Sequence, residues 1–207
     1  MSVSKNPILI GISGASGIVY GVTLLRALRA LDVPRHLVMS HSAEVTLALE
    51  TDLKVGDVHA LADVVYAATD IAAAPSSGSA RFRGMIIAPC SVRTMSEIAT
   101  GVTSSLLTRA ADVTLKERRR LVLMVRETPL HTGHLRTMTT LSEMGAIIAP
   151  PVPSFYAAPQ SIADMVAHTI GRILDLFDLD SGQVHRWGQQ AAAGRRRPAR
   201  RRPATPE

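Results

Sequence analysis

Apolar positions along this chain follow two rhythms. Short unbroken runs at residues 7–12, 37–39, 85–88, 121–125 and 146–149 are rich in isoleucine, leucine and valine. Runs of that length predict strands buried on both faces. Between them, apolar residues return every three or four positions, predicting amphipathic helices over residues 18–31, 42–49, 94–100, 106–116, 131–144 and 162–177. The stripe Leu135, Met138, Leu141, Met144 is expected to face the core. Residues 52–80 carry the weakest pattern, a helix near 58–65 and then a loop rich in serine, glycine and alanine. Strands alternating with helices predict an α/β fold: a doubly wound parallel sheet, Rossmann-like or flavodoxin-like, with helices on both faces in three layers.

Such a sheet binds ligands beyond the carboxyl ends of its strands, near the point where strand order reverses. Polar and Gly/Pro-rich residues gather at those ends. The first run leads into Ser13-Gly14-Ala15-Ser16-Gly17, the second ends at Ser40, and the third enters Ala88-Pro89-Cys90-Ser91 with Thr94 three residues on. The fourth ends at Arg126-Glu127, and the fifth in a Pro-rich loop holding Phe155 and Tyr156. Five such loops on one rim argue for one composite site. Gly11, Gly14 and Gly17 lack the dinucleotide spacing. A Gly/Ser-rich turn entering a helix still offers backbone N–H groups to an anion; a plain strand-to-helix turn has the same pattern. Ser91 and Thr94 fit a helix N-cap and its first turn. Glu127 follows a buried strand, where a carboxylate needs a partner, either Arg126 or a ligand.

Composition narrows the classes. The 207 residues allow one domain with a tail, divided at 1–187 and 188–207. The 23 basic and 17 acidic residues give +6, but the Arg/Pro-rich tail holds six arginines and one glutamate. The remainder, 17 basic and 16 acidic, is nearly neutral, and aromatics are only 3%, so a nucleic-acid surface is not expected. The tail reads as disordered. No apolar run nears the roughly 18 residues of a membrane span, and no signal-peptide pattern opens the chain, so a cytoplasmic protein is expected. The single cysteine, Cys90, excludes an intrachain disulfide and a four-thiolate zinc site, and reads as a small buried apolar residue. His131 and His134 lack a third ligand and read as packing or surface residues. Lys116, Arg118, Arg119 and Arg120 form either a solvated helix end or a phosphate clamp.

Taken in order, Ile10 to Gly17, Ala88-Pro89-Cys90-Ser91, Arg109-Ala110-Ala111-Asp112-Val113, Leu115-Lys116-Glu117-Arg118-Arg119, Arg126-Glu127-Thr128-Pro129-Leu130 and Pro150-Pro151-Val152-Pro153 resemble the flavin prenyltransferases of the UbiX/Pad1 family. The resemblance covers residues 7–187. It implies metal-independent transfer of a dimethylallyl group from dimethylallyl phosphate to N5 and C6 of reduced FMN. The product serves a UbiD-type decarboxylase, and members assemble as homo-oligomers, often dodecamers. It implies FMN contacts from Gly14, Ala15, Ser16, Ser40, Ser91, Thr94 and Arg126, and donor contacts from Arg109, Lys116, Tyr156 and Arg172. Ser16, Glu50, Lys116 and Glu127 would be catalytic, and Trp187 would shield the site. The alternatives on the same scaffold are an FMN-dependent decarboxylase of a cysteine derivative, which would need a catalytic histidine early in the chain, and a non-catalytic FMN carrier.

Overall fold

The structure, a computed structural model, describes residues 6–188, so the expected tail lies outside the described residues apart from Gly188. Six strands form one parallel sheet: β1 (Ile8–Ile12), β2 (Arg35–Met39), β3 (Val64–Ala67), β4 (Gly84–Cys90), β5 (Arg120–Val125) and β6 (Ile147–Ile148). Their order is β3-β2-β1-β4-β5-β6. The helices are α1 (Ile18–Ala30), α2 (His41–Glu50), α3 (Val55–His59), α4 (Val92–Thr100), α5 (Leu106–Lys116), α6 (Thr132–Glu143) and α7 (Ile162–Asp175). The expected three-layer, doubly wound sheet is what the chain forms.

Strand alternation sorts the core into two layers. Ile8, Ile10 and Ile12 of β1 pack with Val22, Leu25 and Leu28 of α1 and with Ile170 and Leu174 of α7. Leu9 points the other way, into a layer with Leu107, Ala110 and Ala111 of α5. So α1, α2, α3 and α7 cover one face, and α4, α5 and α6 the other. Both faces of β1 are buried, which is why its sequence is an unbroken apolar run rather than an alternating one.

Three expectations need correction. Residues 58–65 are not one helix: α3 is short, and Val64-Val65-Tyr66 open the edge strand β3. That strand, Val-Val-Tyr-Ala, is apolar throughout but buries neither face fully, and so short a run directly after α3 has no periodicity to separate it from a helix. Set β3 aside and the other five strands fall in the flavodoxin order; with it, the order is that of dinucleotide-binding sheets. The third predicted strand runs through Pro89 to Cys90, and the register with β5 shifts between Ile87 and Cys90, where a residue without an N–H is tolerated. Finally, the stripe on α6 is not core throughout. Leu141 is fully buried, but Leu135 is 50% exposed and Met144 39% exposed. Nine residues at about 100° each make two and a half turns, so the ends of an every-third-residue stripe lie on opposite sides of a helix.

Candidate functional site

A cleft of about 420 Å³ opens at the carboxyl ends of β1, β2, β3 and β4. Its lining includes Gly14, Ser40, Ser91 and Thr94. Sequence reasoning named all four. Ser40 is the N-cap of α2, accepting from Ala43 N at 3.2 Å. Ser91 is the N-cap of α4; its Oγ accepts from Thr94 N at 3.2 Å and donates to Thr94 Oγ1 at 3.1 Å. Two helix N-termini therefore present hydroxyls and positive dipole ends to one space, a donor set that suits a phosphate monoester. The strand order reverses between β1 and β4, where this geometry is expected.

Ser13 joins the two loops. Its Oγ donates to Pro89 O at 2.8 Å and accepts from Ser91 N at 2.7 Å, and the residue is 1% exposed. The loop from β1 also presses on α2: a Cβ on Gly14 would lie 2.4 Å from Ser42 Cβ. Only a residue without a side chain fits there. Ser42, Thr69, Ser104, Ser105 and Thr108 add hydroxyls to the lining that sequence reasoning missed. Ser105 was findable, since it begins a Ser-x-x-Thr cap before the apolar face of α5. Thr69 follows the edge strand that was itself missed. Arg93 and Glu97 pair at 2.9 Å on the far wall, where Glu97 also accepts from Ser104 Oγ at 2.6 Å.

The N-terminus of α1 is arranged differently. Glu50, at the end of α2, places Oε2 2.9 Å from Gly17 N and 3.0 Å from Ile18 N, and both amides donate to it. An internal carboxylate thus sits where a dinucleotide fold seats its pyrophosphate. Partial burial works against the charge. Hydrogen bonds from Ser16, Ile18 and Gly17, with the Arg126 guanidinium, outweigh it and hold the Glu50 carboxyl below the usual range. The same guanidinium acts on Tyr20, whose phenol is raised by burial and lowered by Arg126. Ser16, Glu50 and Arg126 therefore form one group beside Ala15, adjoining the cleft. Glu127 is exposed and accepts from Thr128 N at 2.9 Å, so it does not bear the burial cost its place in the sequence suggested. Cys90 is fully buried and desolvation pushes its thiol up to about 12, so it carries no nucleophile at neutral pH.

Of the four residues assigned to the donor, Arg109 stands in the first turn of α5 beside the cleft-lining Thr108 and Tyr156 in the loop after β6, but Lys116 and Arg172 are not brought to this rim. Helices linking parallel strands run antiparallel to them, so the carboxyl end of α5 lies at the amino ends of the strands. Lys116 stands there, 2.5 Å from Glu117 Oε1, with β5 beginning at Arg120. The carboxyl end of α7 lies there too: the Phe177 ring packs beneath the Arg120 guanidinium at 5.4 Å, and a Cβ on Gly84 at the start of β4 would touch it. Arg172 is near that end, 2.6 Å from Asp175. A five- to seven-residue strand spans about 20 Å, which separates these two cations from the cradle. Lys116 and Arg172 also belong to opposite faces of the sheet. Arg109, two turns before Lys116, pairs with Asp112 at 2.7 Å. Tyr156 lies in the turn Phe155–Ala157, edge-on to His168 and Trp187. The basic cluster divides as well: Arg119 donates to Gly78 O and Ala80 O, pinning the loop before β4, and Arg120 stacks on Phe177.

The comparisons with known proteins agree with this geometry. A family model described as "Flavoprotein" matches residues 1–175. The flavin prenyltransferase UbiX of Escherichia coli K12 is 58% identical over 171 residues, covering 82% of this chain and 90% of that protein. The crystal structure of AnUbiX (PadA1) in complex with FMN and dimethylallyl pyrophosphate superposes with a TM-score of 0.87 at 50% identity, covering 88% of this chain and 97% of that one. A dodecameric FMN-dependent UbiX-like decarboxylase from Escherichia coli O157:H7 gives 0.86 at 47% identity, with 87% and 98% covered. The match over residues 1–175 shows that the chain belongs to the Flavoprotein family; within it, the chain belongs to the flavin prenyltransferases of the UbiX type.

Proposed function

We propose that this chain is a flavin prenyltransferase, moving a dimethylallyl group from dimethylallyl phosphate to N5 and C6 of reduced FMN, as the family resemblance implies. What carries the reading is the 58% identity, over 171 residues, to the flavin prenyltransferase UbiX of Escherichia coli K12. Ser40, Ser91 and Thr94 would hold the FMN phosphate at the starts of α2 and α4. Gly14, Ala15, Ser16 and Arg126 would line the ring system. Bound reduced FMN supplies the nucleophilic N5 and C6. The chain's part is to hold the donor, stabilise its leaving phosphate and move protons.

Loss of phosphate from an allylic carbon builds charge on the departing oxygen. Fixed cations and donors offset it without reorganising. Arg109 and Arg172 offer planar forks, Lys116 a point charge and Tyr156 a hydroxyl. All three cations are partnered by carboxylates in this chain, or stand beside one, so the phosphate would replace existing partners rather than meet bare charges. Glu50, held ionised by its donors, would accept a proton beside Ser16 only as a weak base. Glu127, exposed, suits proton exchange with the leaving phosphate. Because Lys116 and Arg172 lie at the far end of the sheet from the cradle, and on its opposite faces, different further copies of the chain must bring them to the cradle of the first. A homo-oligomer, a dodecamer by family resemblance, meets that need. The product would pass to a UbiD-type decarboxylase in the cytoplasm.

Neither alternative gains from the structure. His36 packs against Tyr66 and Phe82 and is held neutral by burial, while His41 is exposed and pairs with Glu44. Storing FMN would not call for a second phosphate site. The test is anaerobic: protein, reduced FMN and dimethylallyl phosphate are mixed, and the extracted flavin is weighed by mass spectrometry. Gain of one dimethylallyl unit is expected. Unmodified flavin from folded, FMN-loaded protein would overturn the reading in favour of a carrier.

A further inference from the structure

Behind Tyr156 lies a second cavity, about 370 Å³, between the 154–160 turn, α7 and the segment 183–185. His168 lines it. The residue is only 4% exposed, yet its Nδ1 has no hydrogen-bond partner among the described residues. Its Nε2 lies 3.4 Å from His185 O, so the tautomer with Nε2–H donates to that carbonyl and leaves Nδ1 a bare acceptor. The ring meets Tyr156 edge-on, with centroids 5.8 Å apart and planes at 84°. Tyr156 in turn meets Trp187 edge-on at 5.3 Å and 83°. The segment carrying Trp187 returns along α7 and is fastened lower down, where Arg186 donates to Asp175 at 2.9 and 3.0 Å.

A bare nitrogen in a buried wall is costly, and an apolar residue would fill this position more cheaply if packing were its only task. We infer that His168 is a positioning residue that holds Tyr156 and the Trp187 segment in one fixed relation, and so sets affinity for the prenyl donor. It acts from two sides. The ring edge fixes Tyr156, and Nε2–H fixes the main chain two residues before Trp187. Neither contact reaches the FMN cradle. The inference rests on the assignment of Tyr156 to the donor phosphate.

The experiment uses the full-length, FMN-loaded protein with His168→Phe, His168→Leu, Tyr156→Phe and the double variant Tyr156→Phe/His168→Phe. His168→Phe keeps the ring edge and loses the Nε2 donor; His168→Leu loses both. We expect KM for dimethylallyl phosphate to rise about tenfold in His168→Phe and further in His168→Leu, the scale of one lost hydrogen bond. FMN affinity should stay unchanged, and kcat should change far less than KM. Trp187 is the sole tryptophan, so its near-ultraviolet circular dichroism and acrylamide quenching report its position directly. Both should change in His168→Leu. The double variant should be little worse than Tyr156→Phe alone, since coupled residues are not additive. Unchanged KM and unchanged Trp187 signals in both His168 variants would overturn the inference. So would equal losses of FMN affinity, kcat and thermal stability, the mark of a merely structural role. If Tyr156→Phe itself leaves donor KM unchanged, the donor assignment fails, and the inference with it. A raised KM in Tyr156→Phe with none in the His168 variants refutes His168 alone.

Discussion

The proposed FMN cradle and the proposed donor cations are built in opposite ways. The cradle is local: strand ends, serine caps and tight turns, with few charges, gathered on one rim of one chain. Two of the cations, Lys116 and Arg172, are remote: long side chains at the far ends of α5 and α7, on opposite faces, resting against carboxylates of their own chain. Binding a mononucleotide needs only what a parallel sheet offers at its switch point. Ionising an allylic phosphate needs concentrated positive charge, and at the cleft Arg93 is already paired with Glu97. Under the proposed division between copies, each chain's charges would stay satisfied until assembly, and the chemistry would depend on the oligomer.

The comparison can be broken at either half. Lys116→Ala should abolish prenyl transfer, by a hundredfold or more on the order of losses seen when one transition-state donor is removed. FMN binding, measured by fluorescence titration, should be retained; equal loss of both would end the division of labour. Gly14→Ala strikes the cradle instead. The added methyl meets Ser42 at 2.4 Å, and forcing that contact costs about 1–3 kcal/mol in stability, with weakened FMN affinity, read by thermal melts and titration. Ser91→Ala is milder. Loss of the α4 cap should cost about 1 kcal/mol and loosen FMN, while donor KM at saturating FMN stays near its original value.

The smallest effect is in pH. Glu50 has a depressed folded-state pKa, so its contribution is fully present above the unfolded carboxylate value and is lost as pH falls through the folded one. Glu50→Gln should flatten that acid limb of the melting curve. A limb of unchanged slope would show that the hydrogen bonds from Gly17 and Ile18 do not favour the charged form.

Much of this was legible in the sequence for a physical reason. Inner strands such as Ile8–Ile12 are buried on both faces, so hydrophobic burial alone dictates them, and the loops that follow inherit the ligand rim. Val64–Ala67 escaped because an edge strand answers to backbone pairing more than to burial. Ser13 hid because its role, bridging Pro89 O and Ser91 N, joins segments more than seventy residues apart. Resemblance supplied Lys116 and Arg172; nothing in their spacing announces a shared site, since no single chain unites them with the cradle.

Mixed assembly tests that separation most directly. Lys116→Ala and Arg172→Ala are prepared separately and together, by co-expression of two tagged chains, and mixed oligomers carrying both tags are purified. Each variant alone should be inactive in prenyl transfer while binding FMN. The mixed oligomers should regain a substantial fraction of activity, because some sites pair an intact Lys116 from one copy with an intact Arg172 from another. Mixed oligomers as inactive as either parent would contradict the account, placing both cations of each site on the same chain.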